Sequence, residues 1–213
     1  MRYFILFMAS LALLGCNSKT VETEGFTIDP GIQQEVESVV REMENDLRFG
    51  PMMVYETNLQ SEVYLNDNLK SSNMDSPGRY PYKSFYYVSN DTLKIDGGYG
   101  LFGSFGTSIH LIDNKAEVYL LLAADDFPQY ASTQDGPLQL RLEVPTKESS
   151  LVLSNIPEPE EGGVVYGKVS FESEEFYQGV QAAEGEQAEP RKKGRMNMII
   201  YFKSGFVDLE KGF

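Results

Sequence analysis

Beyond Pro51 the apolar residues recur at nearly every second position, and this period constrains the fold more than any other feature of the chain. Leu138, Leu140, Leu142 and Val144 alternate with Gln139, Arg141 and Glu143, which marks a strand with one buried face. Val165, Gly167, Val169 and Phe171 alternate with polar residues in the same way. Met196, Met198, Ile200 and Phe202 form the inward row of another strand, expected to pair with the previous one. Residues 107–112 and 116–122 flank Asp113-Asn114-Lys115, and residues 82–89 and 92–96 flank Asn90-Asp91. Both segments read as tight hairpins. Further strands are expected near 52–57, 61–66 and 151–154, for about ten in all. Short strands without a repeating helix between them predict a mainly β fold, an antiparallel sandwich or half-open barrel.

One helix precedes the strands. Asp29-Pro30 offers a cap with proline at the first helical position, and Gly50-Pro51 offers a stop. Between them Ile32, Val36, Val39, Val40, Met43 and Leu47 recur at spacings of three and four, predicting an amphipathic helix over 30–48. Its polar face carries Glu35, Glu37, Glu42, Glu44 and Asp46 against Arg41 and Arg48, a sign unsuited to anionic lipid. The apolar stripe is therefore expected to pack on the domain.

The first residues have a different character. Arg2 precedes an apolar or small run from Tyr3 through Leu14, followed by Gly15 and Cys16. This run is too short for a spanning helix of about 20 residues and has the form of an export signal. Leu13-Leu14-Gly15-Cys16 resembles the lipobox of bacterial lipoproteins. The resemblance covers only this segment, and no family is recognised for the rest of the chain. It implies that residues 1–15 are a signal peptide and that the Cys16 thiol receives a diacylglycerol. It also implies that the new amino terminus takes a further acyl chain such as palmitate. Several chains anchor stably where one does not. The expected organisation is a tether over 16–28 and a single domain over 29–213. Asn17, rather than Asp, is compatible in such lipoproteins with sorting to the outer membrane.

The mature chain would carry 17 Lys and Arg against 32 Asp and Glu, a net charge of 17 − 32 = −15. Such a charge repels nucleic acid and anionic headgroups. With Cys16 lipidated no thiol remains, because the chain has a single cysteine, and disulfides, thiolate metal sites and a cysteine nucleophile are excluded.

Motifs for catalysis are weak. Gly98, Gly100 and Gly103 fit G-x-G-x-x-G, but the following residues lead into a strand rather than a helix, so no cofactor is expected. Tyr99, Leu101, Phe102 and Phe105 between these glycines instead predict a bend close to apolar surface, with binding-loop use as the alternative. His110 is the sole histidine, with Ser108 two residues away on the same strand face, but no nucleophile elbow accompanies them. No metal ligand spacing is present. Asp125-Asp126 at a strand end, with Asp113, are the carboxylates a glycosidase-like hydrolase would draw on.

Loops are expected over 125–137, 155–163 and 178–195. The last sets Glu184, Glu186 and Glu189 beside Arg191, Lys192, Lys193 and Arg195, acids that offset the basic cluster. Tyrosines gather at Tyr80, Tyr82, Tyr86, Tyr87 and Tyr99. Tyr80, Tyr82, Tyr99 and Phe102 form the candidate binding surface, because tyrosine offers amphipathic contact area at low entropic cost. The leading expectation is a non-catalytic binding module for an envelope protein or a glycan, and the alternative is the carboxylate hydrolase.

Overall fold

The computed structural model describes residues 21–43, 53–100, 104–113, 115–180 and 189–210. The short strands β1 (Val21–Glu22) and β2 (Thr27–Ile28) lead into helix α1 (Ile32–Val39) and then β3 (Arg41–Glu42). β4 (Met53–Leu65) and β5 (Asn68–Ser72) form a hairpin, β6 (Gly78–Ser89) returns to pair with β4, and β7 (Thr92–Tyr99), β8 (Ser104–Ile112) and β9 (Lys115–Ala123) each pair with the strand before. The chain ends in β10 (Tyr130–Ala131), β11 (Arg141–Leu153), β12 (Val164–Ser173), β13 (Phe176–Gln178) and β14 (Lys192–Phe206). The mainly β architecture matches the alternation in the sequence. All fourteen strands belong to one sheet.

Eight of these strands pair in a closed circuit, in the order β11, β9, β8, β7, β6, β4, β14, β12 and back to β11. Two long strands make this possible. β11 pairs with β9 through Arg141–Pro145 and with β12 through Thr146–Leu153, and a register shift lies between Thr146 and Glu148. Pro145 lacks an N–H, so the ladder to β9 ends where it stands. β4 likewise pairs with β6 through Met53–Leu59 and with β14 through Leu59–Leu65.

The inward rows follow from period two. Tyr86, Ile95, Ile109 and Val118 face one another across β6 to β9, and Leu151, Val169, Ile200 and Leu59 face one another across β11, β12, β14 and β4. All eight are buried. The β12–β14 pairing expected from the sequence is present, with Val169 opposite Ile200. Asn90 and Asp91 both take positive φ, at 51° and 59°, the conformation that two-residue hairpins require. Asn66 and Asp67 do the same between β4 and β5.

Three expectations change. The strands near 52–57 and 61–66 are one strand, β4, because Thr57 and Ser61 point inward with Tyr55, Leu59 and Val63 and interrupt the apolar pattern without breaking the backbone. Residues 141–144 of the alternation around 138–144 and residues 151–153 of the run at 151–154 likewise both belong to β11, while Leu138 and Leu140 lie before it and Leu140 is exposed. The helix spans Ile32–Val39 rather than 30–48. Asp29 accepts a hydrogen bond from the Gly31 N–H at its start, and Val40 turns extended so that Arg41 and Glu42 pair with Glu56 and Tyr55 of β4. Branched valines at 39 and 40 favour that exit. Residues 44–48 lie outside the described residues. Glu35 pins α1 to the sheet, accepting hydrogen bonds from Lys168 Nζ and Tyr201 Oη at 2.9 Å each, and the Lys168 partner holds its carboxyl below the usual range. No helix among the described residues is long and apolar enough to cross a membrane.

The interior is rich in tyrosine. Tyr55, Tyr82 and Tyr99 form a chain of tilted rings with centroids 5.6 and 4.7 Å apart. Tyr55 accepts a hydrogen bond from the Lys203 N–H at 2.6 Å, but the Tyr82 and Tyr99 hydroxyls have no partner among the described residues. Gly97 leaves room for Tyr82, since a methyl group there would overlap its hydroxyl. Gly97→Ala is therefore expected to cost about 1–3 kcal/mol by overpacking. Tyr82→Phe alone is expected to stabilise the chain by about 1 kcal/mol or more, because the lost hydroxyl is buried and unpaired. Urea unfolding of both single variants and the double variant checks this, and the double is expected to keep most of the Gly97→Ala loss, because the Tyr82 ring carbons Cζ and Cε1 overlap the added methyl as well.

Candidate functional site

Two groups of side chains lie among the residues singled out from the sequence. The first is a polar network on the outer face of β6 to β9 and β11. Register places Asp96 opposite Ser108, and the 2% exposed Asp96 accepts a hydrogen bond from Ser108 Oγ at 2.6 Å. Tyr87 Oη and Arg141 Nη2 donate to its other oxygen at 2.9 and 2.8 Å. Three donors from three strands thus satisfy one buried carboxylate. Burial, and then the charge of Asp96, push the Tyr87 hydroxyl well up. Burial opposes the charge on Arg141, yet its bond to Asp96 leaves it above its ordinary value.

His110 stands at the edge of this network. Its Nε2 lies 3.2 Å from Ser108 Oγ and 3.4 Å from Glu143 Oε2, and its ring packs 4.7 Å from Tyr119. Glu117 accepts the Tyr119 hydroxyl proton at 2.7 Å and pushes that group up to about 12. A catalytic triad needs an exposed nucleophile and a carboxylate on the far ring nitrogen. Here Ser108 is fully buried and faces Asp96, and Glu143 meets the same nitrogen as the serine. These contacts brace the sheet.

The second group surrounds a cavity of about 870 Å³ at the end of the circuit where β7 meets β8 and β9 ends. Its aromatic walls are Tyr80, Tyr99, Phe105, Phe127 and Tyr130, and β4 contributes Leu59, Ser61 and Val63. Tyr80 stands edge-on to Tyr99 at 6.2 Å, and Tyr99 lies 5.9 Å from Phe105. Asp125 and Asp126 stand on the same rim as Phe127. Asn73 shapes the opposite wall, accepting from the Ser61 N–H at 2.6 Å and donating to the Leu59 carbonyl at 2.8 Å.

The sequence-derived surface residues separate in the fold. Tyr80 is 43% exposed at the mouth, Tyr99 is 4% exposed in its wall, and Tyr82 is fully buried deeper in the core with no face for a ligand. Phe102 and Cys16 lie outside the described residues. Phe127, 69% exposed, was missed by motif reading, and its signal was a lone aromatic directly after the acid pair. The glycine-rich segment is a hairpin end. Gly98 pairs with Gly106, and a side chain at Gly106 would strike the Gly97 carbonyl, so these glycines permit close approach of two strands. Asp113 sits at the turn closing the other end of the β8–β9 hairpin, roughly 30 Å from Asp125 at about 3.3 Å per residue.

The loop expected over 178–195 is shorter, since β14 begins at Lys192. Three of its basic residues are engaged. Arg191 donates to the Thr133 and Gly136 carbonyls, Lys193 pairs with Asp67 and Glu175, and Arg195 lies 3.8 Å over the Tyr64 ring. No group of three or more His, Cys, Asp or Glu able to hold a metal ion occurs among the described residues. Compared with known proteins, the chain matches no family model, no curated protein and no solved structure.

Arg141→Met is expected to lower stability by about 1–2 kcal/mol, because it leaves a buried carboxylate without its half-exposed cation while Tyr87 and Ser108 still donate to it. Adding Asp96→Asn removes that charge and is expected to restore more than half of the loss. Chemical denaturation of the two variants against the parent chain tests the coupling.

Proposed function

We propose that this chain is a non-catalytic binding module, tethered to the bacterial envelope through lipid on Cys16, that takes its ligand at the aromatic cavity. The observation that carries the binding role is the cavity itself. At about 870 Å³ it has the size of a ligand pocket, and its lining combines five aromatic side chains with serine, asparagine, glutamine and aspartate groups that offer orienting hydrogen bonds. Tyr80 and Phe127 stand exposed at its mouth, where they cost the chain solvation and gain little packing. The envelope location rests on the sequence from Arg2 to Cys16.

The arrangement of acids favours binding over hydrolysis. A glycosidase holds two carboxylates about 5–9.5 Å apart on either side of the scissile bond. The two acids lining this cavity are neighbours on one loop, the wall facing them is built from Leu59, Ser61, Val63 and Tyr80, and Asp113 is at the far end of the hairpin.

Affinity capture of the intact lipidated protein from its own membranes tests this reading, with a Tyr80→Ala/Phe127→Ala variant as control. The parent is expected to recover a partner or glycan that the variant loses by tenfold or more, and mass spectrometry of the same preparation is expected to find Cys16 as an acylated amino terminus. Equal recovery by the two proteins, or recovery of nothing, overturns the binding role. An unmodified Cys16 overturns the tether.

A further inference from the structure

We infer that the pole of the strand circuit opposite the aromatic cavity is a membrane-resting face, with Val88, Ile112, Ile156 and Leu209 seated at the headgroups of a zwitterionic bilayer; the inference rests on the lipid tether at Cys16 proposed above. β6 and β7 turn at this pole through Asn90-Asp91, and β8 and β9 turn beside them at Asp113, since Leu93 pairs with Leu111 and Ile112 with Lys115. β14 runs parallel to the end of β6, and the Val207 N–H donates to the Tyr86 carbonyl, which carries Leu209 to the same level. The loop after β11 closes over this end, where the Tyr86 hydroxyl donates to the Glu158 carbonyl at 2.8 Å.

The N-terminal chain enters the fold here. β9 runs from Lys115 towards the cavity, and Glu24 bridges Lys115 in the parallel sense, so the chain from Glu24 back to Val21 leads outward past the Asp113 turn. Cys16 precedes Val21 by five residues, which reach at most about 18 Å even when fully extended. Lipid on Cys16 therefore keeps this pole near the bilayer. The cavity opens at the other end of β9, at most roughly 30 Å further out at about 3.3 Å per residue.

The surface of the pole is an independent observation, and it decides between a barrel lying on its side and one standing on this end. Val88, Ile112, Ile156 and Leu209 are 41–51% exposed, aliphatic groups that gain little packing where they stand. Once the lipid is inserted their contact with the bilayer is intramolecular, so four modest apolar anchors act at high effective concentration. Asp91, Asp113, Glu158, Glu160 and Asp208 share the pole, and Lys115 is paired with Glu24 at 2.7 Å. Such a surface is repelled by anionic headgroups and accepts zwitterionic ones.

Quenching by spin-labelled lipid tests the inference. With Cys16 lipidated, Ile112→Cys or Leu140→Cys supplies the sole thiol for an NBD probe, and both positions are exposed, the second at the cavity end beside Ala124. The intact lipidated proteins are placed in phosphatidylcholine vesicles containing headgroup-spin-labelled lipid. The probe at 112 is expected to be quenched about threefold or more beyond the probe at 140, and replacing about a third of the lipid by phosphatidylglycerol is expected to shrink that difference. Ile156→Asp/Leu209→Asp in the Ile112→Cys chain is expected to cut quenching at 112 by about half while flotation with the vesicles stays complete. Equal quenching at the two positions, stronger quenching at 140, or no effect of the double variant overturns the membrane-resting face. A probe at 112 that ignores the spin label but self-quenches as protein density rises assigns the pole to a second copy and overturns it too. Failure to float overturns the tether and this face with it, whereas flotation without the difference in quenching leaves the tether standing.

Discussion

Closure of the strand circuit is the constraint on which the rest of this structure depends. A sheet with open edges must leave backbone donors and acceptors to water or to another chain. Here each of the eight strands finds a neighbour on both sides, because β11 and β4 are long enough to pair with one partner through one half and with a second partner through the other. At β11 the change of partner is written into the chain by Pro145. What closure produces is an inside, and the inside is filled by the inward rows of every strand.

That inside is unusual in being tyrosine-lined. Tyr55, Tyr82 and Tyr99 run as touching rings from the core towards the cavity, with two of their hydroxyls unpaired. Unpaired buried hydroxyls each cost about 1–3 kcal/mol, offset by the large apolar area of the rings. The same ring stack continues outward to Tyr80 at the cavity mouth, so this wall of the cavity and the core are one packed unit. Rigidity at the mouth is thereby inherited from the core. On the outer face, the donors around Asp96 tie β6, β7, β8 and β11 together, which holds the β7–β8 end of the circuit in register next to the cavity.

Much of this was legible in the sequence, and the limits of legibility are physical. The alternation in β12 and β14 and the Asn90-Asp91 turn were plain because local period and turn chemistry act over a few residues. β4 was hidden because Thr57 and Ser61 face inward and look polar in a pattern scan. The helix was overextended because Val39, Val40 and Met43 satisfy its spacing, whereas the edge of β4 competes for Arg41 and Glu42. At the site, Tyr80, Tyr82 and Tyr99 carried the right chemistry, but depth along a strand is not written in its period. Tyr80 and Tyr82 share a face, yet one is at the mouth and the other in the core. That Asp125, Asp126 and Phe127 meet Tyr80 and Leu59 depends on contacts far apart in sequence, which no local motif announces.

The most direct test of the closed, dry interior is titration of phenolate absorbance in the intact protein, with far-UV circular dichroism followed in parallel. Burial raises Tyr55, Tyr82 and Tyr99 above the ordinary value of 10.0 in the folded state. Each therefore contributes stability that is present below that pH and is lost as pH rises through it, once the unfolded chain can ionise. The account predicts that the exposed tyrosines ionise first, with the dichroism intact, and that the buried ones ionise only in a later step that coincides with loss of the β signal. Ionisation of every tyrosine in one step near pH 10, with the dichroism unchanged, would contradict it.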